Sequence, residues 1–291
     1  MTAPPTFLTS RANPRVKQLR AAFAGNARLS GGLVAIEGEH LLQEALRSGL
    51  PFKTIFLSER LDPPAWPPRS VEIMHLADDV FASVVDTQHP QGIAALLVPP
   101  TWKIEDACPP AATPLLLIAA GLQDPGNLGT LIRSAEAFGA TALLSTPGTV
   151  SEWNQKALRA SAGSVFRVPV IATTTAGIAS LKSRGLRLFA AVAPNSESGS
   201  NPPAANDGHI AIPAASADFT QPCALMIGNE GGGLSEEFLA LADARVSIPT
   251  PGRVESLNAA VAGSLLLYEA SRQRSHALNQ QLATRCQLPS L

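Results

Sequence analysis

The feature that most constrains this fold is a series of short apolar runs that alternate with helical patterns in the second part of the chain. Leu115 to Ala120, Leu186 to Val192 and Ala224 to Ile227 are apolar almost throughout. Continuous apolar runs of this length are typical of strands buried on both faces, as in a parallel sheet. Because helical patterns separate these runs, the sequence predicts an α/β fold with a mostly parallel sheet flanked by helices.

The rest of this second part follows the same alternation. Further predicted strands are Ala142 to Ser145, Val168 to Ile171 and Arg245 to Ile248. The predicted helices are Asn127 to Phe138, Asn154 to Ala160, Ala176 to Ser183 and Ser256 to Arg274. Two stretches lack periodicity: a Ser-, Asn- and Pro-rich stretch from Asn195 to Gly208 predicts a loop, and the polar tail after Arg274 predicts a frayed end.

The first part of the chain has a smaller set of elements. A helix from Pro14 to Ala24 is followed by strands at Leu33 to Glu37, Lys53 to Leu57, Val71 to His75 and Ile93 to Val98. This pattern fits a small α/β or α+β domain. Prolines then cluster between Pro99 and Pro114, which predicts a linker. The predicted division is 1–99, a linker at 100–114, a second domain at 115–276 and a flexible tail at 277–291.

Composition restricts the function classes. The 22 Lys and Arg residues nearly balance the 23 Asp and Glu residues, so overall charge does not favour nucleic-acid binding. The first 36 residues, however, contain five basic side chains and no acid: Arg11, Arg15, Lys17, Arg20 and Arg28. Charge alone favours a solvated helix face there over a phosphate contact. The three cysteines, Cys108, Cys223 and Cys286, form no metal-binding or disulfide pattern. Without a long apolar run or an apolar signal core, a reducing cytoplasm is expected.

The first polar cluster follows the strand Leu115 to Ala120. Asn127 stands where it can cap the following helix, and Arg133 lies off that helix's apolar face. An exposed Arg133 paired with Glu136 is the simpler interpretation of that position. A role for Arg133 in a site therefore needs support from the other clusters.

The second and third clusters also follow predicted strands. The run from Gly228 to Gly233 contains Asn229 and Glu230 among four glycines, which fits either a ligand site or a ligand-free turn. Its spacing matches neither the dinucleotide fingerprint nor a P-loop. The run from Ile248 to Asn258 delivers Ser256 as a predicted helix cap, with Asn258 in the first turn. The alternative to simple capping is a polar pocket rim.

Taken in order, these clusters resemble the three motifs of the SpoU (TrmH-like) RNA methyltransferases. The matching patterns are N-x5-R, G-N-E-G-x-G-L and I-P-x-x-G-x-x-E-S-L-N, and Arg159 to Gly163 is similar to the family's R-x-S-x-G segment. The resemblance covers Leu115 to Arg274. The first part is similar to the family's substrate-binding extension at Val34 to Gly38. The chain departs from the family at Thr250 and at Ala259-Ala260, where Met and Val-Ser are frequent.

The resemblance implies a fold, an activity and a set of site residues. The fold is a trefoil-knotted sheet, which general chain-topology rules exclude, and the chain is a homodimer with its site near the subunit interface. The implied activity is methylation of an RNA ribose 2′-hydroxyl by S-adenosylmethionine, in ribosomal rather than transfer RNA because of the extra domain, without a metal. The implied catalytic residues are Arg133, Asn127, Ser256, Asn258 and Glu230. Those for the methyl donor are Gly228, Asn229, Gly231, Ile248, Pro249 and Leu257. Those for RNA are Arg11, Arg15, Lys17, Arg20 and Arg159.

Arg133 should orient the hydroxyl and stabilise negative charge, because a guanidinium keeps its proton to above about pH 12. Glu230 would position Arg133 or a group at the subunit interface. The competing functions are a non-catalytic RNA-binding protein, which has no need of these polar residues together, and a dinucleotide oxidoreductase, whose fingerprint is missing. The proline-rich boundary further predicts that removing Met1 to Pro99 leaves a folded, donor-binding domain.

Overall fold

The computed structural model describes residues 6–25, 27–68, 70–85, 87, 89–194 and 211–286. These residues form two compact units. One unit contains the described residues of Met1–Thr101 together with Ser151–Arg167, and the other contains those of Trp102–Val150 and Val168–Leu291. The predicted loop from Asn195 to Gly208 lies outside the described residues.

The first unit is built on a five-stranded mixed sheet. Its strands are β1 (Thr6–Leu8), β2 (Val34–Glu37), β3 (Phe52–Ser58), β4 (Glu72–Leu76) and β5 (Ile93–Leu97), in the order β1-β4-β3-β5-β2. The first three in that order are parallel, and β5 is antiparallel to both β3 and β2. Its helices are α1 (Pro14–Phe23), α2 (Ala27–Ser30), α3 (Glu39–Arg47) and α4 (Asp78–Ala82). Sequence patterns missed β1, α2 and α4, which are too short to show a period.

The second unit contains a seven-stranded sheet in which every neighbouring pair is parallel. Its strands are β6 (Leu115–Ala119), β7 (Ala142–Ser145), β8 (Val170–Ala172), β9 (Arg187–Ala191), β10 (Ile212–Pro213), β11 (Cys223–Ile227) and β12 (Ala244–Ser247). Their order is β10-β12-β9-β11-β6-β7-β8. All five residues of β6 and all five of β11 are buried, as the continuous apolar runs predicted. The mostly parallel sheet is confirmed.

The helices of this unit are α5 (Pro125–Ala137), α7 (Thr175–Ser183), α8 (Glu236–Leu241) and α9 (Ala259–Cys286). Two predictions need correction here. The chain after Arg274 was expected to fray, but α9 continues to Cys286 because no Gly or Pro interrupts it, and residues 287–291 of the predicted tail lie outside the described residues. The stretch 100–114 was expected to be a linker. Instead, Trp102 and Ile104 pack on the core of this unit, and Ala107 is fully buried, since their apolar side chains favour burial.

The segment Ser151–Arg167 belongs to the first unit, although it was predicted to lie in the second domain. It contains α6 (Gln155–Ser161), whose Gln155 Nε2 donates a buried hydrogen bond of 2.9 Å to the Ala35 carbonyl. Arg167 Nη1 donates to Glu44 Oε2 at 2.9 Å. Gly163 has a φ of +90°, and a Cβ there would lie 2.7 Å from the Glu44 Cβ. Glycine is therefore needed at this position for the close approach of the two segments.

Candidate functional site

The three polar clusters all follow strands of the second unit's sheet. The first follows β6, the second follows β11 and the third follows β12. Because the strands are parallel, their carboxyl ends meet at one edge of the sheet, which is the usual ligand edge in such folds. The sheet thus brings together segments that are separated by more than a hundred residues.

A chain of side-chain hydrogen bonds links the three clusters. Asn127 Nδ2 donates to Glu230 Oε1 at 2.8 Å, and Asn258 Nδ2 donates to Asn127 Oδ1 at 3.1 Å. The sequence had suggested Asn127 as the cap of α5, and this prediction is wrong. Asp124 is the cap and accepts from the Asn127 amide at 2.8 Å, with Pro125 in the first turn. The side chain of Asn127 is therefore available for the two other clusters. An Asp directly before a Pro is a cap signal that could have identified Asp124.

Glu230 ties the glycine cluster to the start of α5. Its carboxylate also accepts hydrogen bonds from the backbone amides of Asp124 at 3.3 Å and Gln123 at 3.5 Å. Desolvation raises the pKa of Glu230, but the hydrogen bonds from Asn127 and from backbone amides together outweigh it and lower the pKa overall. A carboxylate held ionised in this way is a poor proton acceptor. Glu230 is therefore suited to positioning Asn127 rather than to removing a proton.

Asn258 is the N-cap of α9, so the prediction that Ser256 caps this helix is wrong. Asn258 Oδ1 accepts from the amides of Ala260 at 2.9 Å and Val261 at 3.2 Å. Asn caps helices as well as Ser does, and only Asn has in addition an NH2 group, which here reaches Asn127. Ser256 is exposed, and no hydrogen bond of its side chain is formed within the described part of the chain.

The glycine cluster forms a closed turn. Asn229 and Gly233 exchange backbone hydrogen bonds of 3.0 and 2.9 Å. The Asn229 side chain donates to the Gly121 carbonyl at 2.9 Å and accepts from the Gly231 amide at 2.8 Å. A Cβ on Gly228 would lie 2.1 Å from the Gly233 carbonyl carbon, so Gly228 is required by its own turn. At Gly231 a Cβ would meet only Asn229 Oδ1, at 3.6 Å, so the space beside Gly231 is open.

The remaining donor-site residues follow β12. Ile248 and Leu257 are half-buried, whereas Pro249 is exposed. Thr250, one of the departures from the family pattern, is half-buried in the same loop. A Cβ on Gly252 would meet nothing within 4 Å, so this loop also has open space beside its backbone. The assignment of these residues to the methyl donor stays a prediction.

Arg133 lies on the exposed side of α5 and outside the hydrogen-bonded chain of side chains. It follows Asn127 by six residues, which is about 9 Å along a helix axis. Within the described ranges its guanidinium makes no hydrogen bond or ion pair, so the simpler interpretation, a pair with Glu136, is not observed. The structure thus groups Asn127, Glu230 and Asn258, and it leaves Arg133 and Ser256 apart from them.

The α5 and α9 helices pack closely along a seam. The Oγ atoms of Ser134 and Ser264 are 2.7 Å apart, and the rings of Phe138 and Tyr268 meet edge to face with centroids 5.7 Å apart. A Cβ on Gly263 would lie 2.4 Å from Leu131 Cδ2, so this glycine permits the close approach. Beside the seam, α9 exposes three apolar side chains at helical spacing, namely Val261, Leu265 and Tyr268.

The predicted RNA-binding residues all lie in the first unit. Three of the basic side chains have partners there: Arg11 pairs with Asp79 at 3.1 Å, Arg15 with Glu72 at 3.3 Å, and Arg20 donates to Ser83 Oγ at 3.3 Å. Lys17 and Arg159 are exposed. Acids from later elements thus reduce the net charge of the basic run, which sequence order alone did not indicate.

The described residues contain neither a metal-binding group nor a membrane-spanning helix. Their His, Cys, Asp and Glu side chains form no group of three or more that could hold a metal ion. None of their helices is both long and apolar enough to span a membrane.

Comparisons with known proteins match both parts of the chain. The model of the SpoU rRNA methylase family matches residues 114–268, and that of the MRM3-like substrate binding domain matches residues 13–95. The chain is 32% identical over 262 residues to the 23S rRNA (guanosine(2553)-2′-O)-methyltransferase RlmP of Bacillus subtilis, covering 90% of this chain and 97% of that protein. It is also 32% identical over 279 residues to the 23S rRNA (uridine(2479)-2′-O)-methyltransferase of Streptomyces viridochromogenes, covering 92% of each.

A solved structure gives the same result for the fold. The SpoU methyltransferase AviRb from Streptomyces viridochromogenes, in complex with the cofactor AdoMet, aligns with a TM-score of 0.74. The sequence identity in this alignment is 28%, and the alignment covers 90% of this chain and 98% of AviRb.

Proposed function

This chain belongs to the SpoU rRNA methylase family, and from that premise we propose that it transfers the methyl group of S-adenosylmethionine to a ribose 2′-hydroxyl of ribosomal RNA. The observation that carries the proposal is the hydrogen-bonded chain Glu230–Asn127–Asn258, which joins all three family motifs at the ligand edge of the sheet. A scaffold that only bound RNA would have no need for such a joined set.

The residues present fit the methyl donor. The backbone beside Gly231 and Gly252 borders open space at the ends of β11 and β12, where a ligand can approach amides and carbonyls closely. Ile248 and Leu257 are the half-buried apolar side chains of the same edge. When bound, S-adenosylmethionine supplies an electrophilic methyl group. The backbone of the glycine turn and of the β12 loop would hold it.

The polar side chains have separate tasks in this proposal. Asn127 is fixed by Glu230 on one side and by Asn258 on the other, so it can orient a ribose without moving. Arg133 would orient the hydroxyl and a neighbouring phosphate and stabilise negative charge on the oxygen. A planar guanidinium suits that contact because it binds with two prongs.

We also propose that the active form is a homodimer. Val261, Leu265 and Tyr268 are 47%, 43% and 52% exposed on one stripe of α9, and an apolar stripe of this kind is stabilised by a partner surface. Arg133 is exposed on α5, the helix that packs against α9. A second subunit on this surface would bring further groups to Arg133. Sedimentation of the wild type as a monomer at assay concentrations would refute this part.

Two further properties belong to the proposal. A trefoil knot belongs to it because the motif resemblance to the SpoU family implies that fold. A reducing cytoplasm is supported by Cys108 and Cys223, which are free thiols. Cell fractionation would test the second.

The decisive experiment measures radioactive methyl incorporation from S-adenosylmethionine into 23S ribosomal RNA and into transfer RNA. We expect incorporation into the ribosomal RNA, at a ribose that becomes resistant to alkaline cleavage. Asn127→Ala should reduce it strongly, whereas Asn154→Ala, which removes an Asn cap outside the site, should not. Donor and RNA binding without any methyl incorporation would favour the non-catalytic alternative.

A further inference from the structure

An open groove in the first unit lies beside α1 and the chain that follows it. Its volume is about 870 Å³. The lining includes three basic side chains and three small or aliphatic ones: Arg15, Lys17, Arg20, Ala21, Ala24 and Leu29. None of the described residues that line it is acidic. The groove therefore combines a positive rim with an apolar interior.

The local sequence explains this shape. Ala21 lies in the last turn of α1, and Ala24 is the C-cap three residues later; their small side chains leave room beside the end of the helix. Gln18 Nε2 donates to the Ser30 carbonyl at 3.0 Å, which holds the following chain against α1. Leu29 on that chain is 66% exposed, more than any other large apolar side chain among the described residues.

The basic side chains are arranged along the helix. Arg15 is held by Glu72 and Arg20 by the Ser83 hydroxyl, while Lys17 has no partner within the part of the chain that the structure describes. Lys17 and Arg20 are three residues apart, which is about 4.5 Å along the axis. Two of the three cations are thus fixed in place before any ligand arrives, and one is free to follow it.

We propose that this groove holds an unpaired nucleotide of the RNA substrate, with the base against Ala21 and Leu29 and the flanking phosphates at Lys17 and Arg20. The inference rests on the proposed function, because it presupposes an RNA substrate. A duplex would leave the apolar interior unused, since its bases are already stacked, whereas an unpaired strand offers a flat base beside each phosphate. The groove then adds recognition of single-stranded RNA to the contacts of the transfer site.

Binding of short labelled RNA to the full-length protein tests this. The probes are a single strand, the same strand paired with its complement, and the single strand with abasic sites. We expect the single strand to bind most tightly. Leu29→Asp should weaken its binding about tenfold, because a carboxylate in the groove repels phosphate. Lys17→Ala should reduce the slope of log affinity against log salt by about 1.

Lys53→Ala is the matched control, because Lys53 is an exposed lysine of the same unit that does not line the groove. Equal effects of Lys17→Ala and Lys53→Ala, or equal affinity for the abasic and normal strands, would overturn the proposal. The proposal would also be overturned if polyglutamate of the same total charge displaced the RNA, because an acidic polypeptide would then be the natural occupant.

Methyl incorporation is measured on the same preparations. If the groove variants bind RNA normally and methylation is intact, the groove proposal is refuted and the proposed function is not. Groove-dependent binding without methylation of any ribosomal RNA refutes the proposed function instead.

Discussion

Asn258 has two structural roles that two substitutions can separate. Its Oδ1 caps α9 by accepting from Ala260 and Val261, and its Nδ2 donates to Asn127. Loss of a cap costs about 1 kcal/mol, and loss of an exposed hydrogen bond costs about 0.5 kcal/mol. For Asn258→Ala we therefore expect a loss of about 1.5 kcal/mol, which lowers the melting temperature by about 3–6 °C.

Asn258→Asp should behave differently. A carboxylate keeps both capping bonds and is favoured at a helix N-terminus, so the melting temperature should change little. It cannot donate to Asn127, however, and it turns an acceptor toward the Asn127 oxygen. We expect both variants to lose methyl transfer by about a hundredfold, the usual consequence of misplacing a positioning group, while only Asn258→Ala loses stability.

The assays are thermal unfolding followed by circular dichroism and methyl incorporation under single-turnover conditions. Asn154→Ala serves as the control, because it removes another Asn cap, one that accepts from Lys156 at 2.9 Å. It should lose stability and retain turnover. Wild-type turnover in Asn258→Asp would refute the positioning role, and a wild-type melting temperature in Asn258→Ala would refute the cap.

Four other predictions follow from the site and the two units. Arg133→Lys should abolish methyl transfer without changing the melting temperature, because the exposed guanidinium has no partner among the described residues and an ammonium cannot make a two-pronged contact. Gly231→Val should weaken donor binding in calorimetry with the fold intact, whereas Gly228→Val should lower the melting temperature, because its own turn blocks a side chain. Removing residues 1–99 should yield an unstable protein, contrary to the expectation from sequence, because Ser151–Arg167 would lose the partners it has in the first unit. Soluble expression and circular dichroism measure this. The pKa of Glu230 is lowered in the folded protein, so its contribution to stability is present above the unfolded pKa and is lost as pH falls through the folded pKa. In an acid titration, donor binding should therefore decline only below the usual carboxyl range.

Each of these predictions can fail in a recognisable way. Turnover in Arg133→Lys close to that of the wild type would remove Arg133 from the transfer step. Unchanged donor affinity in a folded Gly231→Val would move the donor away from the glycine turn. A truncated protein that remains folded would show that Ser151–Arg167 is stable without the first unit, and donor binding that declines already near neutral pH would exclude Glu230 as its cause.

The sequence by itself determined the fold class of the second unit, a mostly parallel sheet with flanking helices, and the identity of its three motifs. Strand burial and helix faces are local properties, because they depend on which residue types recur at short intervals. The apolar run that became β6 was therefore predictable in type and nearly in extent. The order of the three motifs was equally readable, and it was enough to indicate the family.

Only the tertiary structure decided how these parts are connected. The hydrogen bond from Asn258 to Asn127, which is 131 residues away, is one such connection. Likewise, Ser151–Arg167 reads as one more helix of the second domain, yet it joins the first unit through its bond to Ala35, 120 residues earlier. Local periodicity contains no information about partners at such separations. They are selected when the packed sheets bring distant chain segments close enough to satisfy one another's hydrogen bonds.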